Sequence, residues 1–402
     1  MTGTILSQSD LAELVDHLVA EGTSVIAPVP ARDDARRTEY RPIRSLGEAA
    51  LGGPLPRCSL KEFFLPPSQV LLRYRQRKDG VDLQEVPTTF APQVILGARP
   101  CDAAGVETLD KVMGWDYRDE LWFGRREATT IVSLACRGVD SSCFCHAVGL
   151  GPNSTKGADV LLVPLNGTPS AHPSQPAGVL AESVDAFLRD SEPFAGAFGL
   201  EAKGQKPPPV VGYLAEPVTP KGEALLKGRG KPATERSDLE EAQGFVKVAR
   251  DRVARNFAAL QLANGHLPEW LANNFDHQLW KSLALRCHGC GACAAVCSTC
   301  HCFDIVDEHD SYGQGARRRN WDSCQSAKFT LHASGHNPRQ TQTERFRQRV
   351  MHKFSIYPRR FDAILCSGCG RCARICPAGM SLPEIVGEFV QLAGPEIPGS
   401  VR

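Results

Sequence analysis

The sequence predicts an α+β protein in two parts: an N-terminal α/β domain over residues 1–200 and a mainly helical domain over residues 235–402, joined by a basic Pro/Gly-rich linker at 201–234. Three observations predict this. Short apolar runs alternate with helix-periodic stretches in the first half. Lys, Gly and Pro dominate KGQKPPP and TPKGEALLKGRGKP in the middle. The last third carries two copies of one cysteine run, and the spacing of that run belongs to a dicluster ferredoxin-like [4Fe–4S] domain. At 402 residues the chain is long enough for two domains. A net charge of +1 gives no global pull toward nucleic acid or a membrane surface. No apolar run is long enough to span a bilayer. The opening MTGTILSQSDLAEL lacks the basic and apolar regions of a secretory signal. Sixteen cysteines gathered at cofactor spacings, without such a signal, point to a reducing cytoplasm rather than to disulfides.

Taken in order, Leu11, Leu14, Val15, Leu18 and Val19 share one face of a helix over 10–21, with Ser9 as cap and Gly22 as stop. Ser24 to Val29 follows as a short strand. Phe63, Phe64 and Leu65 before Pro66 and Pro67 read as a packed turn leading into another strand. QVILGA (93–98) runs into Arg99-Pro100-Cys101-Asp102, and TIVSLA (130–135) runs into Cys136. A helical stretch near 103–112 lies between them, which makes a βαβ unit. Its parallel strands would deliver Cys101 and Cys136 to one carboxyl edge, where open α/β sheets place ligands. Cys143 and Cys145 follow in a loop. These four could converge on a third iron–sulfur cluster, or Cys101 and Cys136 could be small buried residues at strand ends. Cys58 stands alone and reads as structural. GADVLLVPL (157–165) is a further buried strand, 166–176 a loop and 178–190 a short helix. In the second part, 238–262 and 268–284 are helical patterns. Their apolar stripes, including Trp270 and Trp280, read as core rather than as an aromatic electron path.

CHGCGACAAVC starts at Cys287 and CSGCGRCARICP at Cys366, both with the spacing C-x2-C-x2-C-x3-C. Three closely spaced thiolates of such a run wrap one cube, and the fourth serves the cube of the other run. That assigns Cys287, Cys290, Cys293 and Cys376 to one [4Fe–4S] cluster, and Cys366, Cys369, Cys372 and Cys297 to a second. Gly289, Gly291, Gly368 and Gly370 leave room for backbone against a cube. Zinc sites usually use two separated pairs instead. Ser298 stands where a proline often follows the fourth cysteine; Pro377 takes that place in the second run. Cys300, Cys302 and Cys324 read as thiols packed around the first cube. Ligation of something further, completed by His301 or a carboxylate, is the alternative. Residues 313–360 carry Arg317, Arg318, Arg319, Lys328, Arg339, Arg345, Arg347, Arg349, Lys353, Arg359 and Arg360 against Asp322 and Glu344. Such cations offset the negative charge of a thiolate-bound cube and raise its potential. A docking face for an acidic partner is compatible with that, and nucleic-acid binding is the rival use. No G-x-G-x-x-G follows a strand. No spacing makes Lys61, His301 or Asp102 an acid–base group, so no catalytic residue is expected.

CHGCGACAAVCSTCHCFD, GARRRNWDSC, HASGHNPR, RFRQRVMHKF and CSGCGRCARICP together resemble the beta, iron–sulfur subunit of soluble [NiFe] sulfhydrogenases. They are equally similar to the electron-transferring iron–sulfur subunit of anaerobic sulfite reductase. RPCD at 99–102, RRE at 125–127, Cys136 and the CFC at 143–145 extend the resemblance over nearly the whole chain. It implies an electron conduit between two partners: a diaphorase subunit that binds FAD and NAD(P), and a catalytic module. The module is the small and large subunits of a [NiFe] hydrogenase in one family and a sirohaem sulfite reductase subunit in the other. The resemblance also implies cysteines with a role at 101, 136, 143 and 145, and at 300, 302 and 324. WDSCQ at 321–325 and HASGHNPR lean toward the hydrogenase. The chain is therefore expected to be a cytoplasmic complex subunit with no nucleic-acid or membrane partner. An iron–sulfur regulator that binds nucleic acid through 313–360 is the remote alternative.

Overall fold

A computed structural model of the chain describes residues 3–136, 140–166, 210–262, 266–311 and 313–394. The helix expected at 178–190, and all of the loop expected at 166–176 except Asn166, lie outside the described residues. The strands, in chain order, are β1 (Thr4–Ser7), β2 (Ser24–Pro30), β3 (Thr38–Ile43), β4 (Ser68–Gln76), β5 (Val81–Glu85) and β6 (Gln93–Ala98). Then come β7 (Thr129–Leu134), β8 (Val160–Leu165), β9 (Gly212–Pro217), β10 (Lys231–Pro232), β11 (Phe303–Ser311) and β12 (Gln314–Trp321).

Eight of them form one sheet in the order β10-β1-β9-β8-β7-β6-β2-β3. Its centre is parallel, β2 to β6 to β7 to β8, as the βαβ reading requires. The helix Pro100–Met113 makes the crossover between β6 and β7, starting with proline in its first turn. The helix Gln8–Ala20 covers the opposite face. Ser7, not Ser9, caps it, in a reciprocal capping box with Asp10. Leu11, Leu14 and Val15 pack under the sheet with Val25, Leu96 and Leu134. The other face buries Phe64, Ile95, Val106, Leu109 and Trp122, and joins Tyr357 and Leu365 from the C-terminal part to the same core.

Two expectations need correction. The linker placed at 201–234 is structured from residue 210 onward. β9 pairs with both β1 and β8 in the interior of the large sheet, and Leu214 and Ala215 on it are fully buried. The Pro- and Gly-rich sequence on either side hides the short apolar core of VVGYLA. The C-terminal part is also not cleanly separate. Its hairpin β11–β12 lies between the two cysteine runs, and β12 pairs antiparallel with β4 to give a second sheet, β11-β12-β4-β5. The helices Arg236–Arg255, Leu267–Asn273, Leu279–Ala284, Gln342–Met351 and Leu382–Ala393 supply the rest of that part. The first of these packs Ala242 and Val246 against Leu161, Val163 and Leu214 of the large sheet, and the others enclose a core of Trp280, Phe346, Phe354 and Phe389, into which Phe144 of the N-terminal part inserts. Trp280 lies 4.3 Å from Phe389 between ring centroids, so the tryptophan stripe does pack as core.

Leu214→Ala separates the strand from the linker reading. A buried strand position should lose ~2–5 kcal/mol on truncation, through lost burial and a residual cavity. A solvated linker position would lose under about 0.5 kcal/mol. Denaturant unfolding of the two proteins measures the difference.

Candidate metal centre

Each cysteine run folds as a tight loop followed by one turn of helix, Ala292–Ala295 in the first and Arg371–Arg374 in the second. The two backbones match closely. Gly289 and Gly368 have φ of 66° and 63°, and Gly291 and Gly370 have φ of 75° and 71°. These left-handed conformations favour glycine. At Gly368 the need is doubled, because an added Cβ would lie 2.5 Å from the Cα of Cys145. Ser298, at the position where a proline often follows such a run, has its hydroxyl 2.9 Å from that of Ser367, tying the end of one run to the start of the other.

Cys287, Cys290, Cys293 and Cys376 line one hollow that is partly open to solvent. With Cys372, three cysteines of the first run and two of the second meet at this hollow. Phe346, Met380, Leu382 and Ile385 give the hollow apolar walls, and Cys290 is exposed at its mouth. Cys372 also reaches this wall. Cys366 senses Cys297 and Cys372, and Cys372 senses Cys369, Cys297 and Cys293, so the thiols of the two runs are electrostatic neighbours. Among the described residues, no three His, Cys, Asp or Glu side chains converge as the ligands of a single metal ion do. Thiols spread around a hollow suit a cube better than one tetrahedral ion.

The charge environment fits as well. Arg349 and Lys353, four residues apart across the junction of Gln342–Met351 and a π turn at His352–Ile356, are both buried. π turns inside helices recur at functional sites. Arg349 donates to the backbone oxygen of Cys293 at 3.0 Å. The Lys353 ammonium donates to Cys297 Sγ at 3.3 Å, Thr299 Oγ1 at 3.0 Å and the Leu365 carbonyl at 2.8 Å. Burial works against both cations, but Cys297 beside Lys353, and Cys293 and Cys297 beside Arg349, outweigh it and raise both pKa values. Burial likewise opposes a thiolate at Cys297, yet Lys353 and Arg349 bring that thiol down to about 6. Cys366 and Cys372 go the other way, pushed up by burial to about 12 and about 11. Binding a metal centre there releases protons.

The remaining basic residues of 313–360 divide differently from the sequence expectation. Arg317 pairs with Asp307, Arg318 with Glu308, Arg319 with Asp119, Arg347 with Asp276 and Arg359 with Glu269. The balancing carboxylates lie outside the segment, so a count within it misses them. Of the eleven cations, Arg349 and Lys353 carry the charge-offsetting role at the sulfurs.

The four N-terminal cysteines do come together. Cys101 lies in the first turn after β6 and Cys136 just beyond β7, at the same carboxyl edge. Cys136 is an electrostatic neighbour of Cys101, Cys143 and Cys145, and Cys101 and Cys145 also sense Cys369. Burial raises the Cys101 and Cys143 thiols and takes Cys145 to about 12. This group sits directly on the second cysteine loop. The Phe144 amide donates to the Gly368 carbonyl at 2.8 Å, and Arg374 pairs with Asp140 at 2.5 Å. Arg371 makes a bidentate pair with Asp102 at 2.6 and 2.7 Å, both side chains being fully buried, and Tyr40 donates to the same carboxylate at 2.9 Å. Sequence reasoning misses this pair, because the partners are 269 residues apart. Its one signal is a charge inside each motif, RPCD and CGRC. Cys58 is exposed and takes no part. Cys300, Cys302 and Cys324 gather at a second, smaller hollow beside Lys353.

A family model described as a 4Fe-4S dicluster domain matches residues 286–380. The chain is also 26% identical to the Sulfhydrogenase 2 subunit beta of Pyrococcus furiosus over 326 residues, which covers 81% of this chain and 82% of the relative. No solved structure matches. With the geometry above, these similarities support an iron–sulfur protein of the electron-transfer kind. No helix among the described residues is long and apolar enough to cross a membrane.

Lys353→Met tests the charge argument. Removing the ammonium should lower the reduction potential of the iron–sulfur signals from centres that Lys353 faces and leave more distant signals nearly unchanged in an EPR-monitored redox titration. The ceiling is roughly 170 mV. Unit charges about 4 Å apart interact by ~4 kcal/mol at an effective dielectric of 20, and about 59 mV corresponds to 1.4 kcal/mol for one electron.

Proposed function

We propose that the chain is the electron-transfer subunit of a cytoplasmic [NiFe] hydrogenase complex of the sulfhydrogenase type. It relays electrons between the hydrogenase catalytic module and a partner subunit that binds FAD and NAD(P). The observation that carries the reading is the meeting of thiols from two loops of matching backbone at one hollow, within a chain similar over most of its length to a sulfhydrogenase beta subunit. Cys287, Cys290, Cys293 and Cys376 would hold one [4Fe–4S] cluster, and Cys366, Cys369, Cys372 and Cys297 the second. Cys101, Cys136, Cys143 and Cys145 would hold a third, seated on the second loop. When bound, each cluster takes up and gives back a single electron.

The chain's own side chains do the rest. Phe346, Met380, Leu382 and Ile385 keep water from the inner wall of the first hollow. A low local dielectric strengthens every nearby charge interaction. Arg349 and Lys353 hold fixed positive charge beside the sulfurs without any carboxylate in the wall to cancel it. The exposed Cys290 marks the mouth where a partner surface can approach closely. The N-terminal cysteines lie against the Cys366–Cys372 loop, where Cys101 and Cys145 both sense Cys369.

Anaerobic purification of the native complex tests the reading. Nickel and hydrogen-dependent NAD(P) reduction should accompany the chain, with about eight irons and eight labile sulfides on it for the two runs and about four more of each for every further cysteine group that is loaded. Sirohaem with sulfite reduction in place of nickel would reassign it to the sulfite reductase complex. Zinc alone, or neither metal nor redox activity, would overturn it. Cys369→Ser should abolish electron passage in the assembled complex.

A further inference from the structure

The hollow at Cys300, Cys302 and Cys324 has a composition that ordinary packing does not explain. Apart from Thr299 and Leu365, its wall consists of three thiols, two imidazoles and two cations, with no carboxylate. The Cys302 thiol hydrogen-bonds to both Cys300 and Cys324, so the three sulfurs form one group drawn from two separate stretches of chain. Lys61 adds a third positive charge nearby: it is an electrostatic neighbour of Cys300, Cys297 and Cys302, and its ammonium lies 3.6 Å from the centroid of the Trp321 ring. Structural thiols normally sit among apolar side chains. Three thiols faced by cations match the surroundings of an anionic thiolate-bound centre.

The fourth donor comes from within the same tripeptide. His301 lies between Cys300 and Cys302 and lines the hollow. Its Nδ1 is 3.3 Å from the Thr299 carbonyl, which can only accept, so Nδ1 carries the proton and Nε2 presents its lone pair. A second ring nitrogen that donates to a backbone carbonyl is the arrangement that fixes a metal-binding histidine. His352 packs edge-on at 5.2 Å between ring centroids and limits the rotation of His301. As at the cysteine runs, these donors do not converge on one point as they would for a single ion.

We infer that Cys300, Cys302, Cys324 and His301 form a further iron–sulfur site, a [4Fe–4S] centre with three thiolates and one imidazole. This deepens the electron-transfer reading without resting on which cysteines serve the two runs. It places the extra centre beside Lys353, whose ammonium also reaches Cys297 Sγ at 3.3 Å.

The test compares the anaerobically purified full chain with Cys300→Ser/Cys302→Ser and with His301→Leu. The double variant should lose about four irons and four sulfides per chain, while the EPR signals of the remaining clusters persist. Pulsed EPR of reduced wild-type protein should show nitrogen coupling that changes with 15N-histidine labelling and vanishes in His301→Leu. Unchanged iron in the double variant, or one zinc per chain that disappears with it, would overturn the proposal. Should the double variant fail to fold, the nitrogen coupling of wild-type protein decides, and its absence overturns the proposal. Persistence of the other cluster signals keeps failure here distinct from failure of the electron-transfer reading.

Discussion

The buried pair between Arg371 and Asp102 is the contact on which the arrangement depends. Arg371 sits between Gly370 and Cys372 of the second cysteine run, and Asp102 follows Cys101 at the edge of the large sheet. Neither side chain reaches water, so each charge needs the other, and Tyr40 occupies a further lone pair of the carboxylate. The pair fixes the second cysteine loop against the N-terminal sheet. The Gly368–Cys145 approach and the Phe144 amide bond follow from that docking. What sequence reading separates into a sheet domain and a cluster domain is joined at its chemically important face, and joined again where β12 pairs with β4.

A second constraint is charge. Sixteen cysteines in one chain would bring many negative centres together once they are deprotonated. Cations are placed selectively in response. Arg349 and Lys353 face the runs, Lys61 faces the Cys300 group, and Arg371 and Arg374 flank the N-terminal group. Most of these cations are shielded from solvent, so salt screens them little and their effect on the sulfurs is strong.

Much of this is legible in the sequence because its signals are local. QVILGA and TIVSLA read as parallel strands with their cysteines at one edge, and the repeated run spacing leads to the expectation that the two runs share ligands, in keeping with the hollow where thiols of both meet. β9 is hidden because its apolar core is short and its flanks are rich in Lys, Gly and Pro. β11 and β12 are hidden for another reason: their sequences are charged, and the charges are used across the hairpin. Asp307 stands directly opposite Arg317, a pairing that supports a strand only when its partner is known. Arg371–Asp102 and the gathering of Cys300, Cys302 and Cys324 are tertiary facts, and no periodicity encodes them.

The central claim is spatial: sulfur-ligated iron occupies a row that begins at the first cysteine run and continues through the second to the N-terminal edge of the sheet. Anomalous scattering at the iron edge from crystals grown without oxygen reads those positions directly. The account predicts iron density among Cys287, Cys290, Cys293 and Cys376, and again among Cys366, Cys369, Cys372 and Cys297, with further density against Cys101, Cys136, Cys143 and Cys145. Iron held by all four cysteines of a single run, or no iron near either loop, would contradict it.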